Sequence, residues 1–387
     1  MDKNAVSLVF TGDIGFDKYM ENKWEDENLL SSEVLAFFQS ADHTVINVEG
    51  PLMENAKDDA ARGVLFHSMN PDAIRLFQKI GADIWSLGNN HAKDAGEAGI
   101  RSTWAQVQKH GVKAMGVGVD LEQASQPVCL EEAGGIGMFC VTYHKTGYPA
   151  TETTPGIFSW EEENLIAQRI RQIKSRCRWC IVVSHGGEEF SALPNPYVRE
   201  KYLKFLELGA DIVVGHHPHV AQNYELFENK AVFYSLGNFI FDTNYQRAHP
   251  YTEFGVLLKL QLTPEKMDFE AMGIQVIRGE ERIEKAPLPA IFTNVPQEAY
   301  ALLAPLSVAA FLEEERKRMT FLEPQRFAGA SEEVWDGYFY SDEPESYRHN
   351  SHNDFFTLIP IGETAQEGKW KESHLDSVKD YILKQFS

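Results

Sequence analysis

Ala210-Asp211-Ile212-Val213-Val214-Gly215-His216-His217-Pro218-His219-Val220 is the stretch on which the fold turns. Ile212 to Val214 is a short β-branched run, the pattern of a buried strand. It empties into a turn carrying three histidines in four positions. Neutral imidazole is the commonest side-chain metal ligand, and an H-x-H pair at a strand end can aim two nitrogens at one point. A solvated loop with stray histidines is the competing reading. The other strand ends decide between them.

Val6 to Phe10 reads as a strand that exits through Thr11-Gly12-Asp13-Ile14-Gly15. Thr44 to Val48 is a second, ending at Glu49-Gly50-Pro51. Asp83 to Leu87 is a third, ending at Gly88-Asn89-Asn90-His91, with Asp94 and Gly96 just beyond. Cys180 to Ser184 is another, ending at His185-Gly186-Gly187-Glu188-Glu189. Helices are expected between them, over about 31–40, 70–80, 98–110, 160–175 and 198–208, with caps such as Ser31 and Asn70-Pro71. Strands alternating with helices indicate an α/β sheet covered on both faces. Ligands of such sheets bind outside the carboxyl ends of the strands. Asp13 between glycines could serve only a turn, and Asn89-Asn90 likewise. Their joint occurrence with Glu49, His91, His185 and the histidine turn argues for one shared site. Mixed oxygen and nitrogen donors suit Mn, Fe or Zn better than Mg or Ca. More than four candidate donors point to two ions with a bridging carboxylate, an arrangement that activates water for attack on phosphate esters.

The rest of the chain frames this site. Residues 112–117, 137–143 and 231–236 read as further strands. Residues 254–262 and 268–277 read as an antiparallel pair turning at Thr263-Pro264-Glu265-Lys266. From about residue 286 the pattern weakens. A helix is expected over 297–319, a polar loop over 341–354, and a last helix over 371–385. Arg348-His349-Asn350-Ser351-His352-Asn353-Asp354 reads as a solvated loop, since no buried strand feeds it. Trp335, Tyr338, Phe339 and Tyr340 would cover the site or pack the tail onto the sheets. The expected division is 1–285 and a C-terminal extension, 286–387.

The chain has 387 residues, 43% hydrophobic, enough for a large core. With 36 Lys and Arg against 57 Asp and Glu, its formal charge is −21. Such a surface repels polyphosphate, so nucleic acid is excluded as a partner. No run reaches a membrane span, and Met1 to Phe10 lacks the pattern of a signal peptide. The expectation is a cytoplasmic protein, or a membrane-associated one if an N-terminal anchor has been removed. Four cysteines make no disulfide framework, and Cys177-Arg178-Trp179-Cys180 has no second C-x-x-C to complete a zinc site.

Taken in order, Gly12-Asp13, Asn47-Val48-Glu49-Gly50-Pro51, Asn89-Asn90-His91 with Asp94, His185-Gly186 with Glu188, Gly215 to Val220, and Ser235-Leu236-Gly237-Asn238-Phe239 resemble the motifs of the CapA family. These are capsule or poly-γ-glutamate biosynthesis proteins of the calcineurin-like metallophosphoesterase superfamily. The resemblance covers about residues 5–245. It implies a four-layer α/β/β/α sandwich, here with an α-rich C-terminal extension, and one or two divalent ions. Carried over, Asp13 would ligate the first metal and Glu49 would replace the bridging aspartate. Asn90 and His185 would ligate the second, and His217 and His219 would serve both. His91, oriented by Asp94, would be the acid. His216, Glu188 and Asn238 are further family positions, facing substrate or lying behind the ligands. The superfamily pattern places a histidine two residues after the first aspartate, where this chain has Gly15, and uses aspartate where this chain has Glu49. The implied function is metal-dependent hydrolysis of a phosphoester or an anionic polymer precursor. The alternative is an accessory protein of capsule or poly-γ-glutamate synthesis or export that binds metal or polymer without turnover.

Overall fold

Alternation along the central strands sets the layers. Ile212 and Val214 face one core while Val213 faces another. Leu8 and Phe10 likewise oppose Val9, and Val45 opposes Ile46. Strands apolar on both faces must be covered on both faces. The computed structural model, which describes residues 5–54, 66–143, 148–340 and 378–382, meets that demand with two sheets packed face to face.

In chain order the strands are β1 (Val6–Ile14), β2 (His43–Val48), β3 (Ala82–Ser86), β4 (Lys113–Met115), β5 (Val117–Gly118), β6 (Val128–Leu130), β7 (Ile136–Thr142), β8 (Gly156–Ile157), β9 (Trp179–His185), β10 (Ile212–His216), β11 (Tyr224–Phe227), β12 (Lys230–Phe233), β13 (Asn238–Ile240), β14 (Phe254–Leu262), β15 (Met267–Ile277) and β16 (Arg282–Ala286). The first sheet runs β16-β15-β14-β1-β2-β3-β4, with β13 also pairing β1. Its β1 to β4 are parallel, and β14 to β16 extend it antiparallel. The second runs β11-β12-β10-β9-β7-β6, parallel in its centre.

Between the sheets lie Leu8, Phe10, Val45 and Ile84 against Ile181, Val183, Ile212 and Val214. Helices α1 (Ser32–Gln39), α2 (Ile74–Lys79) and α3 (Gly96–His110) cover the outer face of the first sheet through Phe37, Phe38, Phe77, Ile100 and Val107. Short α4 (Leu121–Ala124) precedes β6, and α5 (Glu163–Lys174) and α6 (Pro196–Glu207) cover the second sheet through Ile166, Ile170, Tyr202 and Phe205. The order is α/β/β/α, the metallophosphoesterase-like sandwich.

Boundaries shift where hydrogen bonding overrides pattern. The expected strand 112–117 is cut into β4 and β5 at Gly116, whose carbonyl accepts the Phe158 N–H at 2.9 Å. The helix expected from Asn70 opens as a 3-10 turn, Pro71–Ala73, capped by the Asn70 side chain. The strand expected over 231–236 stops at Phe233, and the chain then crosses to the first sheet as β13. After the short α7 (Asn244–Arg247) and the β14–β16 meander comes α8 (Gln297–Leu322), which contains Pro305. Its Ala299, Tyr300, Leu303 and Ala304 join the core between the sheets. Its Phe311 and Met319 pack instead with Phe327 of α9 (Pro324–Phe327) and with Trp335, Tyr338 and Phe339 of α10 (Glu332–Tyr340). Those aromatics hold the tail helices to one another. Of the expected last helix, residues 378–382 are described and helical, while 341–354 fall outside the described residues. Among the described residues no helix is long and apolar enough to cross a membrane. The four cysteines are free thiols, with Cys140 and Cys180 buried.

Candidate metal centre

The carboxyl ends of β1, β2 and β3 in one sheet and of β9 and β10 in the other meet at one edge of the sandwich. Gly215 lets β10 reach that edge, since a Cβ there would lie 2.0 Å from the Tyr234 carbonyl oxygen. Beyond it the chain turns through positive φ at His217 (100°) and His219 (56°). Non-glycine residues held there store strain, and such positions cluster at functional sites.

Asp13 is fully buried and fixed by two donors. Its Oδ1 accepts from Asn47 Nδ2 at 2.7 Å, and its Oδ2 accepts from the His217 backbone N–H at 3.3 Å. Glu49 is tied to β1 by its own N–H, which donates to the Ile14 carbonyl at 2.9 Å. Both of its carboxylate oxygens are buried without a hydrogen-bond partner among the described residues. Glu49 Oε1 lies 3.7 Å from His185 Nε2 and 3.8 Å from His219 Nε2. Two groups share this carboxylate, Asp13-Glu49-His219 and Glu49-His185-His217, and within each the candidate ligand atoms all lie within 4.8 Å of one another.

Neighbours fix the rings. Asn238 Nδ2 donates to the Thr252 carbonyl at 3.0 Å, which turns its Oδ1 toward His219 Nδ1 at 2.9 Å. The hydrogen of His219 therefore sits on Nδ1, and Nε2 carries the lone pair toward Glu49. Asn90 Oδ1 stands 2.7 Å from His185 Nε2, a spacing that two donors to one ion also adopt, since bonds of about 2.0–2.2 Å bring ligand atoms to roughly 3 Å. His91 Nδ1 is 2.7 Å from Asp94 Oδ2. His216 turns away, its Nε2 donating to the Thr11 carbonyl across the sheets at 2.9 Å. Glu188 accepts from Tyr197 Oη at 2.8 Å and belongs to neither ligand group.

Burial dominates the electrostatics. It raises the Asp13 carboxyl to about 7 against the two hydrogen bonds that lower it. It raises Glu49 well above the carboxylate range, helped by the charges of Asp13 and Glu189. It pushes His216 and His217 down to about 4, and His185 and His219 well below the usual imidazole range. The imidazoles are thus neutral, the form that binds metal. A dehydrated carboxylate with no donor, ringed by neutral imidazoles, is costly unless a cation sits among them. The unpartnered Glu49 oxygens and the unpartnered Nδ1 of His217 fit a divalent ion.

The absent histidine at position 15 has a physical counterpart. A Cβ on Gly15 would lie 2.5 Å from the Phe241 ring, which in turn packs 4.8 Å from His219 and 5.0 Å from His67. Sequence reasoning missed Phe241, Asp17 and His67. It quoted Asn47 only within a motif, without a role. Asn47 precedes Glu49 by two and so shares its strand end, a signal that was available.

The layers and the shared carboxylate define a metallophosphoesterase-like sandwich with a candidate dinuclear metal centre. Residues 7–243 match the family described as "Bacterial capsule synthesis protein PGA_cap", and the chain belongs to that family, the CapA family. It is 28% identical over 249 residues to the PGA biosynthesis protein CapA of Bacillus subtilis, a match covering 63% of this chain and 65% of that protein. It is 25% identical over 257 residues to the capsule biosynthesis protein CapA of Bacillus anthracis, covering 64% and 62%. The chain thus spans less than two thirds of these relatives' lengths. A solved structure, TT1561 of Thermus thermophilus, aligns with a TM-score of 0.40 at 12% identity, covering 69% of this chain and 98% of that one.

Proposed function

We propose that this protein is a metal-dependent hydrolase acting on a phosphoester or an anionic polymer precursor in capsule or poly-γ-glutamate metabolism. The buried, unpartnered Glu49 carboxylate between two imidazole sets carries this reading. Asp13, Glu49 and His219 would hold one divalent ion, and Glu49, Asn90, His185 and His217 a second, with Mn, Fe or Zn the fitting metals. When bound, such ions supply Lewis acidity and lower the pKa of water. With its Nδ1–H held by Asp94, His91 would act as the imidazolium, passing its Nε2 proton to the leaving oxygen. Asn47 and Asn238 keep Asp13 and His219 in place.

The names of the Bacillus relatives support the capsule or poly-γ-glutamate setting. A Mycobacterium tuberculosis relative, 24% identical over 224 residues, is named a probable polyglutamine synthesis accessory protein, which favours the second reading, a site that binds metal or polymer without turnover. Metal analysis of the purified protein, followed by phosphodiester and phosphomonoester assays with Mn²⁺, separates the two. Bound metal with turnover supports the hydrolase, and bound metal without turnover supports the accessory protein. Glu49→Gln and His217→Ala are expected to lose metal while keeping the fold. Retention of full metal by both would sink the ligand assignment.

A further inference from the structure

Beside the ligand groups stands a second imidazole–carboxylate pair that the proposed chemistry does not use. His67 lies on a segment folded back over the end of β2. Met69 N–H donates to the Pro51 carbonyl and Met53 N–H to the Met69 carbonyl, each at 2.9 Å. His67 itself has four further restraints. Its backbone N–H donates to Asp94 Oδ2 at 2.9 Å, and its Nδ1 lies 2.7 Å from Asp17 Oδ2. Its ring meets His91 edge to face at 4.1 Å between centroids and packs 5.0 Å from Phe241. Asp94 therefore receives both His67, through the main chain, and His91, through the ring.

That much restraint on one side chain positions a group. With Nδ1 occupied by Asp17, Nε2 is the remaining ring nitrogen, and it has no hydrogen-bond partner among the described residues. His67 is 8% exposed and His91 5% exposed, so each is largely buried yet keeps a small part of its surface open. Both rings act electrostatically on His219, and both Asp17 and Asp94 act on Glu49. The two pairs flank the same ligand groups.

We propose that His67, held by Asp17, is a second substrate-contacting imidazole, which with His91 clamps an anionic oxygen of the bound substrate through Nε2. The proposal rests on the hydrolase reading and extends it to how the substrate is gripped. The role suits a substrate with a phosphoryl or carboxylate oxygen next to the bond that breaks, because protonated rings whose Nδ1–H groups are held by Asp17 and Asp94 present Nε2–H donors to such an oxygen.

The test is binding of inorganic phosphate to the Mn²⁺-loaded full chain by calorimetry, with metal content and thermal midpoint measured on each variant. Asparagine at 67 can satisfy Asp17 but does not reach the position of Nε2, whereas glutamine places an amide nitrogen there. His67→Asn is expected to keep its metal and bind phosphate about tenfold more weakly, the scale of one lost hydrogen bond to a charged group. His67→Gln is expected to bind close to the wild-type value. Wild-type phosphate affinity in His67→Asn would overturn the proposal, as would matched loss of metal in both variants. Should His67→Asn fail to fold, Asp17→Asn with unchanged phosphate binding overturns it equally. If the wild type binds phosphate or turns over ester while the variants match it, only the role of His67 falls. If the metal-loaded wild type does neither, the hydrolase reading falls and this proposal with it.

Discussion

Asn238 shows how much a site depends on residues that touch no ion. It spends its amide N–H on the Thr252 carbonyl and its oxygen on His219. Replacing it by alanine frees the His219 ring to rotate and to change tautomer. Partners of this kind are commonly worth 10–100-fold in metal affinity. Asn238→Ala is therefore expected to weaken metal binding by roughly that factor while leaving the metal-free thermal midpoint nearly unchanged. Titration with a competing chelator measures the first quantity, and an unaltered affinity would show that the ring is held by other contacts. At this scale the sequence was informative for a definite reason. Asp13, Glu49, His185, His217 and His219 each sit at or just past the carboxyl end of an apolar strand, and parallel strands deliver those ends to one edge. His67 follows only the three-residue apolar run Val64-Leu65-Phe66, set off by the polar residues 53–63 and too short to read as a strand. Its significance arises from the return of residues 67–69 over 51–53, a tertiary contact that no local pattern encodes.

Among the elements, β1 and β13 explain the missing histidine. The N–H of Gly15 donates to the Ile240 carbonyl at 2.7 Å, which brings Phe241 against Gly15. Any side chain at 15 must displace that ring. Gly15→His is expected to cost about 1–3 kcal/mol through overpacking. Combined with Phe241→Ala, it is expected to cost measurably less than the sum of the two single changes, because the residues touch. Chemical denaturation of the four proteins reads this coupling directly, and additive effects would mean that something other than the ring excludes the histidine. The helices and parallel strands were legible from periodicity and capping. The crossing from β12 to β13 was not. Residues 231–239 read as one apolar strand and its exit, yet the chain leaves the second sheet at Phe233 and joins β1 at Asn238. Pairing partners, which periodicity does not specify, decide where such a run divides.

For the whole molecule, the buried site should govern how stability depends on pH when metal is removed. Asp13 and Glu49 bind protons more tightly in the folded chain, because burial raises their pKa. Each therefore favours folding most below its unfolded value near 4, and that contribution is lost as pH rises, through about 7 for Asp13. His185, His216, His217 and His219 run the other way. Burial lowers them, to about 4 for His216 and His217, so their contribution is full above about 6.5 and lost as pH falls toward 4. Between about 4 and 6.5 the imidazoles outnumber the carboxyls, and stability rises with pH. Above about 6.5 only the carboxyls of this site still change, and stability falls. The chelated protein is thus expected to show its highest thermal midpoint near pH 6.5. On the proposed ligand set Mn²⁺ would replace the protons on both carboxyls, so it should move that maximum upward and stabilise the protein more at pH 8 than at pH 6. Glu49→Gln, which has no proton to lose there, should flatten the alkaline limb in chelator. Thermal scans from pH 5 to pH 9 with chelator and with Mn²⁺ test all three expectations. A metal-free midpoint that keeps climbing to pH 8, with no difference between the wild type and Glu49→Gln, would show that the buried carboxyls are not what the ion neutralises.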